Sequence, residues 1–293
     1  MAALELTLLG TGGPLHQPLR YGNSQLISAG GTNLMVDAGW GATIRLSQSS
    51  VPLTGVDHVL VTHLHSDHTT DFADLLVMRW VTGATTPLKV YGPEGTTRMI
   101  AGYRQALEAD TKYRFAHHGE KLAPMSTECD VTEIEAGVEP LVIAEIGGIT
   151  VKAFEVDHRP VMPAFGFRFE HDGKSIVISG DTIDCPGLRN GAQGAGIMVA
   201  DSMNKRMMTA LQERLKAIGN LNGALNLQDA QEYHTDVLDA AKIAEDCGVK
   251  HLVLSHILPP VPDDQAPIFT QGMDAIYHGK VSMGSDLARY VAE

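Results

Sequence analysis

The most informative segment of this 293-residue chain is HLHSDH, at positions 63–68. Three imidazoles and a carboxylate fall within six positions, directly after an apolar run at 58–62 that is typical of a buried strand. Neutral imidazole and carboxylate are ligands that Zn²⁺ favours. At a strand end, the first two histidines would point to one position and Asp67 and His68 to a second. A single histidine would mean little, but this cluster predicts two neighbouring metal ions, an arrangement that suits hydrolysis.

Composition places the chain among folded proteins and limits its partners. The 44% hydrophobic and 19% charged fractions are ordinary, and the length allows a sizeable core. The net charge of −13 argues against a broad nucleic-acid surface, although a local basic patch can exist on an acidic protein. Three widely spaced cysteines predict neither a disulfide framework nor a zinc knuckle, which fits a reducing cytoplasm. No signal peptide and no segment of roughly 20 apolar residues is visible, so no membrane span is expected.

Periodicity predicts a single α/β domain over residues 1–293. Predicted strands lie at 6–9, 24–28, 33–36, 56–62, 88–91, 141–146, 149–156, 165–170, 175–179, 197–200 and 251–255. Predicted helices lie at 71–81, 96–109, 207–218, 237–247 and 269–277. The polar segment 111–130 shows no clear periodicity, so we expect an active-site loop or a covering flap there. It contains His117 and His118, for which an exposed pair is the simpler interpretation than a pair that lines the pocket.

Further ligand-type residues follow other predicted strands. His158 comes after the run 150–156, Asp181 after 176–180 and His256 after 252–255. Each one alone is weak support for a metal site, since a histidine in a loop is usually not a ligand. Strand ends that share one rim of a sheet would bring these side chains to the same place as HLHSDH.

These motifs, in this order and at this spacing, resemble those of the metallo-β-lactamase superfamily over most of the chain. The resemblance implies an αβ/βα sandwich, with two mixed sheets flanked by helices. It also implies the ligand set: His63, His65 and His158 for one metal, Asp67, His68 and His256 for the other, and Asp181 bridging both. Asp37, in MVDAG after an apolar run, resembles an early aspartate of the superfamily that orients a ligating imidazole. The alternative for Asp37 is an ordinary turn residue before Gly39.

Within the superfamily, the closer likeness is to the ribonuclease Z and arylsulfatase branch. The opening LGTGGP at 9–14, the segment HRPVMPAFGF at 158–167 and YHT at 233–235 are similar to motifs of that branch. In ribonuclease Z, the histidine of the last motif assists proton transfer at the leaving group. The resemblance therefore implies that His234 is a general acid, and the alternative is a histidine that caps a helix without a catalytic role.

Two departures from ribonuclease Z favour small substrates. Only 23 positions separate His158 from Asp181, so a long tRNA-gripping arm does not fit between them. The run ADSM at 200–203 stands where a His-Glu-Ala type run is expected. The segment 71–96 looks more like the arylsulfatase-type branch, which handles small molecules. With the acidic charge balance, these departures make nucleic acid an unlikely partner.

The sequence thus predicts a hydrolase with two Zn²⁺ ions, or Mn²⁺ or Fe, that cleaves a small-molecule ester such as an aryl sulfate or a lactone. A metal-bridging hydroxide would attack, Asp67 could accept a proton and His234 would protonate the departing oxygen. Arg159 could hold an anionic substrate or form a structural ion pair. The alternatives are a phosphodiesterase or a ribonuclease Z-like tRNA 3′-processing endonuclease, and a non-hydrolytic metal sensor or redox protein. The resemblance also implies a homodimer.

Overall fold

Two seven-stranded sheets form the centre of the structure, a computed structural model that describes residues 2–122 and 127–293. The first sheet contains β1 (Glu5–Gly10), β2 (Ser24–Ala29), β3 (Thr32–Val36), β4 (His58–Leu60), β5 (Leu88–Gly92), β6 (Cys129–Glu133) and β14 (Arg289–Val291). The second contains β7 (Leu141–Ile146), β8 (Ile149–His158), β9 (Val161–His171), β10 (Lys174–Ile178), β11 (Ile197–Met203), β12 (His251–Leu258) and β13 (Lys280–Met283). Their strand orders are β14-β1-β2-β3-β4-β5-β6 and β13-β12-β11-β10-β9-β8-β7.

Helices cover the outer faces of both sheets. The helices of the described residues are α1 (Ala42–Gln48), α2 (Ser66–Thr69), α3 (Phe72–Val81), α4 (Thr96–Ala106), α5 (Glu108–His118), α6 (Pro186–Ala192), α7 (Lys205–Ala217), α8 (Leu221–Ala230), α9 (Val237–Asp246) and α10 (Ala266–Phe269), and α3, α4, α6 and α9 are among those that pack on the sheets. Short 3₁₀ helices occupy Leu53–Gly55, Gly119–Lys121, Asp263–Gln265 and Met273–Ala275. Within the two described ranges, no helix has the length and apolar content that crossing a bilayer requires.

Three apolar layers hold the sheets and helices together. Between the sheets, Leu34 of the first sheet and Phe167 of the second belong to one buried cluster. Outside the first sheet, α3 and α4 contribute Leu75 and Ile100 to another cluster, and α6 and α9 cover the second sheet in the same way. This layering confirms the predicted αβ/βα sandwich of two mixed sheets flanked by helices.

Strand β10 shows why the sequence forms buried strands here. Ile176 and Ile178 face the layer between the sheets, whereas Val177 faces the helices. Successive side chains of a strand point to opposite faces, so a strand that is covered on both sides is apolar at every position.

The parallel strands create the rim on which the polar motifs meet. Strands β3 to β6 pair in parallel, and so do β10 to β13. The carboxyl ends of parallel strands lie at the same edge of a sheet. Asp37 follows β3, the HLHSDH segment follows β4, Asp181 follows β10, and His256 lies near the end of β12.

The expectation of an irregular segment at 111–130 was wrong for most of its length. Helix α5 continues to His118, a 3₁₀ turn follows it, and β6 begins at Cys129, while positions 123–126 lie outside the described residues. No residue of α5 is buried, so the sequence carries no apolar period there. Ion pairs one turn apart, Lys112 with Glu108 and Arg114 with Asp110, support the helix instead.

Candidate metal centre

Four side chains from three separate strand ends form a first cluster. The ligand atoms of His63, His65, His158 and Asp181 all lie within 4.8 Å of one another. Nε2 of His63 is 3.0 Å from Nδ1 of His65, and Nε2 of His158 is 3.3 Å from the same Nδ1. Three imidazole nitrogens that converge without an intervening backbone group could together hold one metal ion.

Asp67, His68 and His256 form a second cluster beside the first. Helix α2 begins directly after His65, so Asp67 and His68 project from its first turn. Nε2 of His256 lies 3.2 Å from Oδ2 of Asp67, and Nε2 of His68 lies 3.7 Å from that oxygen. These three ligand atoms could hold a second metal ion.

The Asp181 carboxylate lies between the two clusters. Its Oδ2 is 3.8 Å from Nε2 of His63 and 4.0 Å from Nε2 of His158. The same oxygen is 3.3 Å from Nε2 of His68 and 3.4 Å from Nε2 of His256. One carboxylate oxygen therefore faces both groups of imidazoles, which is the geometry that a bridging ligand requires.

Unpaired polar atoms inside the site show that its donors fit a bound cation. Nε2 of His68 and Oδ1 of Asp181 are buried and have no hydrogen-bond partner in the described part of the chain. Buried polar atoms are normally paired, so such orphans need an explanation. Imidazole nitrogens and carboxylate oxygens are the donor types that Zn²⁺ and similar divalent ions accept, and a cation between them would satisfy both atoms.

Asp37 fixes the orientation of His68. Its Oδ2 accepts a hydrogen bond from Nδ1 of His68 at 2.7 Å, and the Thr62 amide and hydroxyl each donate to its carboxylate at 2.8 Å. With the proton on Nδ1, the Nε2 lone pair of His68 points into the second cluster. Asp37 and His256 both have left-handed backbone, with φ of 56° and 50°, a conformation that concentrates at functional sites.

His234 lies beside both clusters, and its partner is Asp201, a residue that the sequence analysis did not identify. Nδ1 of His234 donates to Oδ2 of Asp201 at 2.8 Å, and Oδ1 of Asp201 is 3.3 Å from Nδ1 of His256. All three side chains are buried. In the sequence the ADSM run indicates only a departure from a motif, although Asp201 follows the apolar run 197–200 and lies within β11.

The concentration of carboxylates controls the charge of the site. Burial lowers the pKa of His256, but Asp181, Asp201 and Asp67 outweigh it and raise that pKa to about 10. Burial raises the pKa of Asp181, but His256, His68 and His63 outweigh it and hold that pKa well below its usual value. At His63, desolvation dominates and lowers the pKa. The carboxylates therefore stay ionised, and the proton on His256 balances part of their charge.

A cavity of about 550 Å³ opens beside the first cluster. Among its lining residues are His65, His158, Arg159, Asp229, Glu232 and Tyr233. Arg159 is exposed and forms a two-point ion pair with Asp157, through Nε at 2.9 Å and Nη2 at 2.6 Å, which is the structural alternative considered for it. His117 and His118 are exposed at the end of α5.

Comparison with known families and relatives identifies the proteins to which this chain is similar. The family model described as the beta-lactamase superfamily domain matches residues 32–257. A protein named Ribonuclease Z from Mycobacterium sp. (strain KMS) is 38% identical over 289 residues, which cover 98% of this chain and 95% of that protein. Ribonuclease Z from Mycobacterium bovis (strain BCG / Pasteur 1173P2) is 36% identical over 290 residues, 98% of this chain and 97% of the relative.

Solved structures share the fold at low sequence identity. The short form of human tRNase Z superposes with a TM-score of 0.70 at 20% identity and covers 99% of both chains. A metallo-β-lactamase fold protein from Bacillus subtilis superposes with the same TM-score of 0.70 at 17% identity, again over 99% of both chains. At these identities, the likeness shows the fold alone.

The relatives overturn two expectations from the sequence. They are named for a ribonuclease, so the prediction of a small-molecule ester substrate is wrong, and so is the prediction that nucleic acid is an unlikely partner. The net charge of −13 is a sum over the whole surface and does not describe the surface near the site. The short interval between His158 and Asp181, which β9 and β10 fill, excludes an arm there but not contacts elsewhere. The arylsulfatase likeness is not confirmed.

The motifs, the layered sheets and the full-length relatives agree with one another. The family model spans most of the chain, and the relatives cover 98% of it at more than 30% identity. The chain belongs to the metallo-β-lactamase superfamily, in its ribonuclease Z branch, and is a metal-dependent hydrolase.

Proposed function

We propose that this protein is a ribonuclease Z-type endonuclease that hydrolyses a phosphodiester bond in the 3′ part of precursor tRNA. The observation that carries the proposal is the 38% identity to a protein named Ribonuclease Z over 98% of the chain. The buried clusters on the sheet rim support it, because they contain ligands for two cations on either side of Asp181.

We assign the ligands as the sequence predicted them, within one domain over residues 1–293. The first cation would be held by His63, His65 and His158, the second by Asp67, His68 and His256, and Asp181 would contact both. Zn²⁺ is the proposed metal, with Mn²⁺ or Fe as alternatives that the same donors accept. When bound, two such ions supply an activated water and a Lewis acid for the phosphoryl oxygen.

The chain's own residues supply the proton transfers and the orientation. Burial raises the pKa of Asp67, but His68 and His256 outweigh that effect and lower it overall, so the carboxylate is ionised. In this proposal Asp67 accepts a hydrogen bond from the attacking water and takes up its proton as the bond to phosphorus forms. His234 protonates the departing ribose oxygen. Asp201 holds the His234 ring by accepting the hydrogen bond from Nδ1, so the other ring nitrogen is free to face the substrate.

Cleavage of a precursor tRNA tests the proposal. Metal-loaded protein is incubated with a transcript that carries a 3′ trailer, and the products are sized on a denaturing gel beside mature tRNA. Turnover of bis(p-nitrophenyl) phosphate is measured separately, by the absorbance of released p-nitrophenolate. We expect release of the trailer from the precursor and slow turnover of the small diester. A protein that leaves the precursor intact while it turns over aryl sulfates or lactones would contradict the proposal.

Two further expectations accompany this function. The described cysteines, Cys129, Cys185 and Cys247, are free thiols, which supports a cytoplasmic location. A homodimer stays a prediction from the family resemblance. Light scattering after size exclusion would measure the molar mass against the 31.4 kDa of one chain.

A further inference from the structure

The cavity beside the first cluster has features that the proposed hydrolysis does not use. His65 and His158 form one part of its wall, and Tyr233, Asp229 and Glu232 form another. Its volume of about 550 Å³ lies in the range of small-molecule pockets, so it can contain a nucleoside-sized group. A group bound there lies directly against the metal ligands.

Tyr233 packs against two imidazoles in this wall. Its carbonyl accepts a hydrogen bond from Nδ1 of His158 at 3.1 Å. The phenol ring meets the His158 ring nearly at right angles, with centroids 5.3 Å apart, and its centroid is 4.9 Å from that of His234. A half-buried ring fixed in this way offers a stacking surface with little loss of side-chain entropy on binding.

The charges around Tyr233 disfavour a phosphate group. Asp229 and Glu232 are exposed carboxylates without a hydrogen-bond or ion-pair partner among residues 2–122 and 127–293. Arg159, which also lines the cavity, is paired with Asp157, so its charge is already balanced. Carboxylates accept hydrogen bonds from the amino groups of bases, whereas they repel phosphates.

We propose that this cavity binds a nucleobase next to the scissile phosphodiester. Tyr233 is the stacking platform, and Asp229 and Glu232 accept hydrogen bonds from the exocyclic amino group of cytosine, adenine or guanine. The inference rests on the proposed function, because it requires an RNA strand across the metal clusters. It adds a specificity determinant, since bases that carry an amino group are preferred over uracil.

Precursor RNAs with one altered nucleotide test this without any change to the protein. The nucleotide on either side of the cleaved bond is replaced in turn by an abasic residue, by uridine or by cytidine. At one of the two positions, we expect the abasic change to lower kcat/KM roughly 5- to 150-fold, the range for one stacked base. At that position, the kcat/KM with uridine should lie between those with the abasic residue and with cytidine.

Variants of Tyr233 then locate the effect. Tyr233→Leu removes the platform and Tyr233→Phe retains it, while Tyr113→Leu, at an exposed tyrosine on α5, is the matched control. In Tyr233→Leu the penalty for the abasic RNA falls sharply, because the base loses its stacking partner, whereas the other two variants keep the full penalty. Circular dichroism and metal content confirm that each variant is folded and loaded.

The outcomes separate this inference from the proposed function. If wild-type protein cleaves the precursor but abasic substitution at either position changes kcat/KM less than twofold, the nucleobase subsite is refuted and the ribonuclease function stands. An abasic penalty that is undiminished in Tyr233→Leu also refutes it. If the wild type cleaves no precursor, both proposals fail.

Discussion

The pKa values of two histidines on strand β12 are shifted in opposite directions, although the residues are only five positions apart. His251, at the amino end, is 8% exposed, and His256, near the carboxyl end, is 1% exposed. Burial and then Lys280 lower the pKa of His251 to about 4. At His256, burial acts in the same direction, but Asp181 and the other carboxylates raise the pKa to about 10.

The contrast shows that burial lowers the pKa of both histidines and that only at His256 do neighbouring carboxylates reverse this effect. The carboxyl end of the parallel strands gathers Asp181, Asp201 and Asp67 around His256. At the amino end, Lys250, Lys280 and Arg289 are among the residues that line a cavity of about 250 Å³ with His251. One edge of the sheet therefore gathers carboxylates around a histidine, whereas the other places basic side chains beside one.

Removing Asp181 is the severest test of this contrast. Asp181→Ala should lose both metal ions and reduce precursor cleavage by at least about 10³-fold, because two clusters share this carboxylate and its loss disrupts both. Metal content by plasma mass spectrometry and initial rates measure the two effects. Asp274→Ala, at an exposed aspartate, is the control and should behave as wild type. Full metal loading and activity in Asp181→Ala would end the two-metal assignment.

The Asp201–His234 pair tests a smaller effect at the same edge. His234→Ala should lower kcat by about 10² to 10⁴-fold, the usual contribution of a general acid, with KM little changed. Asp201→Asn should cost less, about 10 to 100-fold, because it perturbs the orientation of the ring but leaves the proton donor in place. Steady-state kinetics measure both. A loss in Asp201→Asn that appears only in KM would argue against a positioning role.

His251 gives the smallest expected effect and tests the opposite edge. Its pKa is about 4 in the folded protein against a usual 6.5, so between these values the unfolded chain binds more protons. The lowered pKa of His251 therefore has no effect on the free energy of unfolding above about pH 6.5 and reduces that free energy as the pH falls toward 4. Urea unfolding of both proteins measures this effect. Between pH 6.5 and 4, the free energy of unfolding should decrease less in His251→Gln than in wild type.

Cleavage by His251→Gln at neutral pH should equal that of wild type, because the residue lies at the end of β12 away from the proposed metal ligands. Glutamine retains a side-chain hydrogen-bond donor for Ser282, whose Oγ lies 2.9 Å from Nε2 of His251. If the free energy of unfolding depends on pH equally in the two proteins, the pKa of His251 is not lowered on folding. That result would contradict the contrast with His256.

Much of the architecture follows from local pattern in the sequence. The sequence predicts β4, β10 and β12 from apolar runs that end in a ligand-type residue, because a strand covered on both faces must be apolar at every position. The same reasoning applied at ADSM would have found Asp201. Helix α8 (Leu221–Ala230) was missed because it buries a single side chain, Ala224, and so lacks an apolar period. Charge balance was the least reliable guide, since it ignores position.

The sequence by itself determined which residue types stand at which strand ends, because strand periodicity and short motifs are local properties. Only the tertiary structure decided that His234 pairs with Asp201, that Arg159 is paired with Asp157, and that Tyr233 lines the cavity beside His65 and His158. Electrostatic energies and hydrogen bonds depend on distances through space, and rotamers and strand packing set those distances. For the same reason, two histidines of one strand differ in charge.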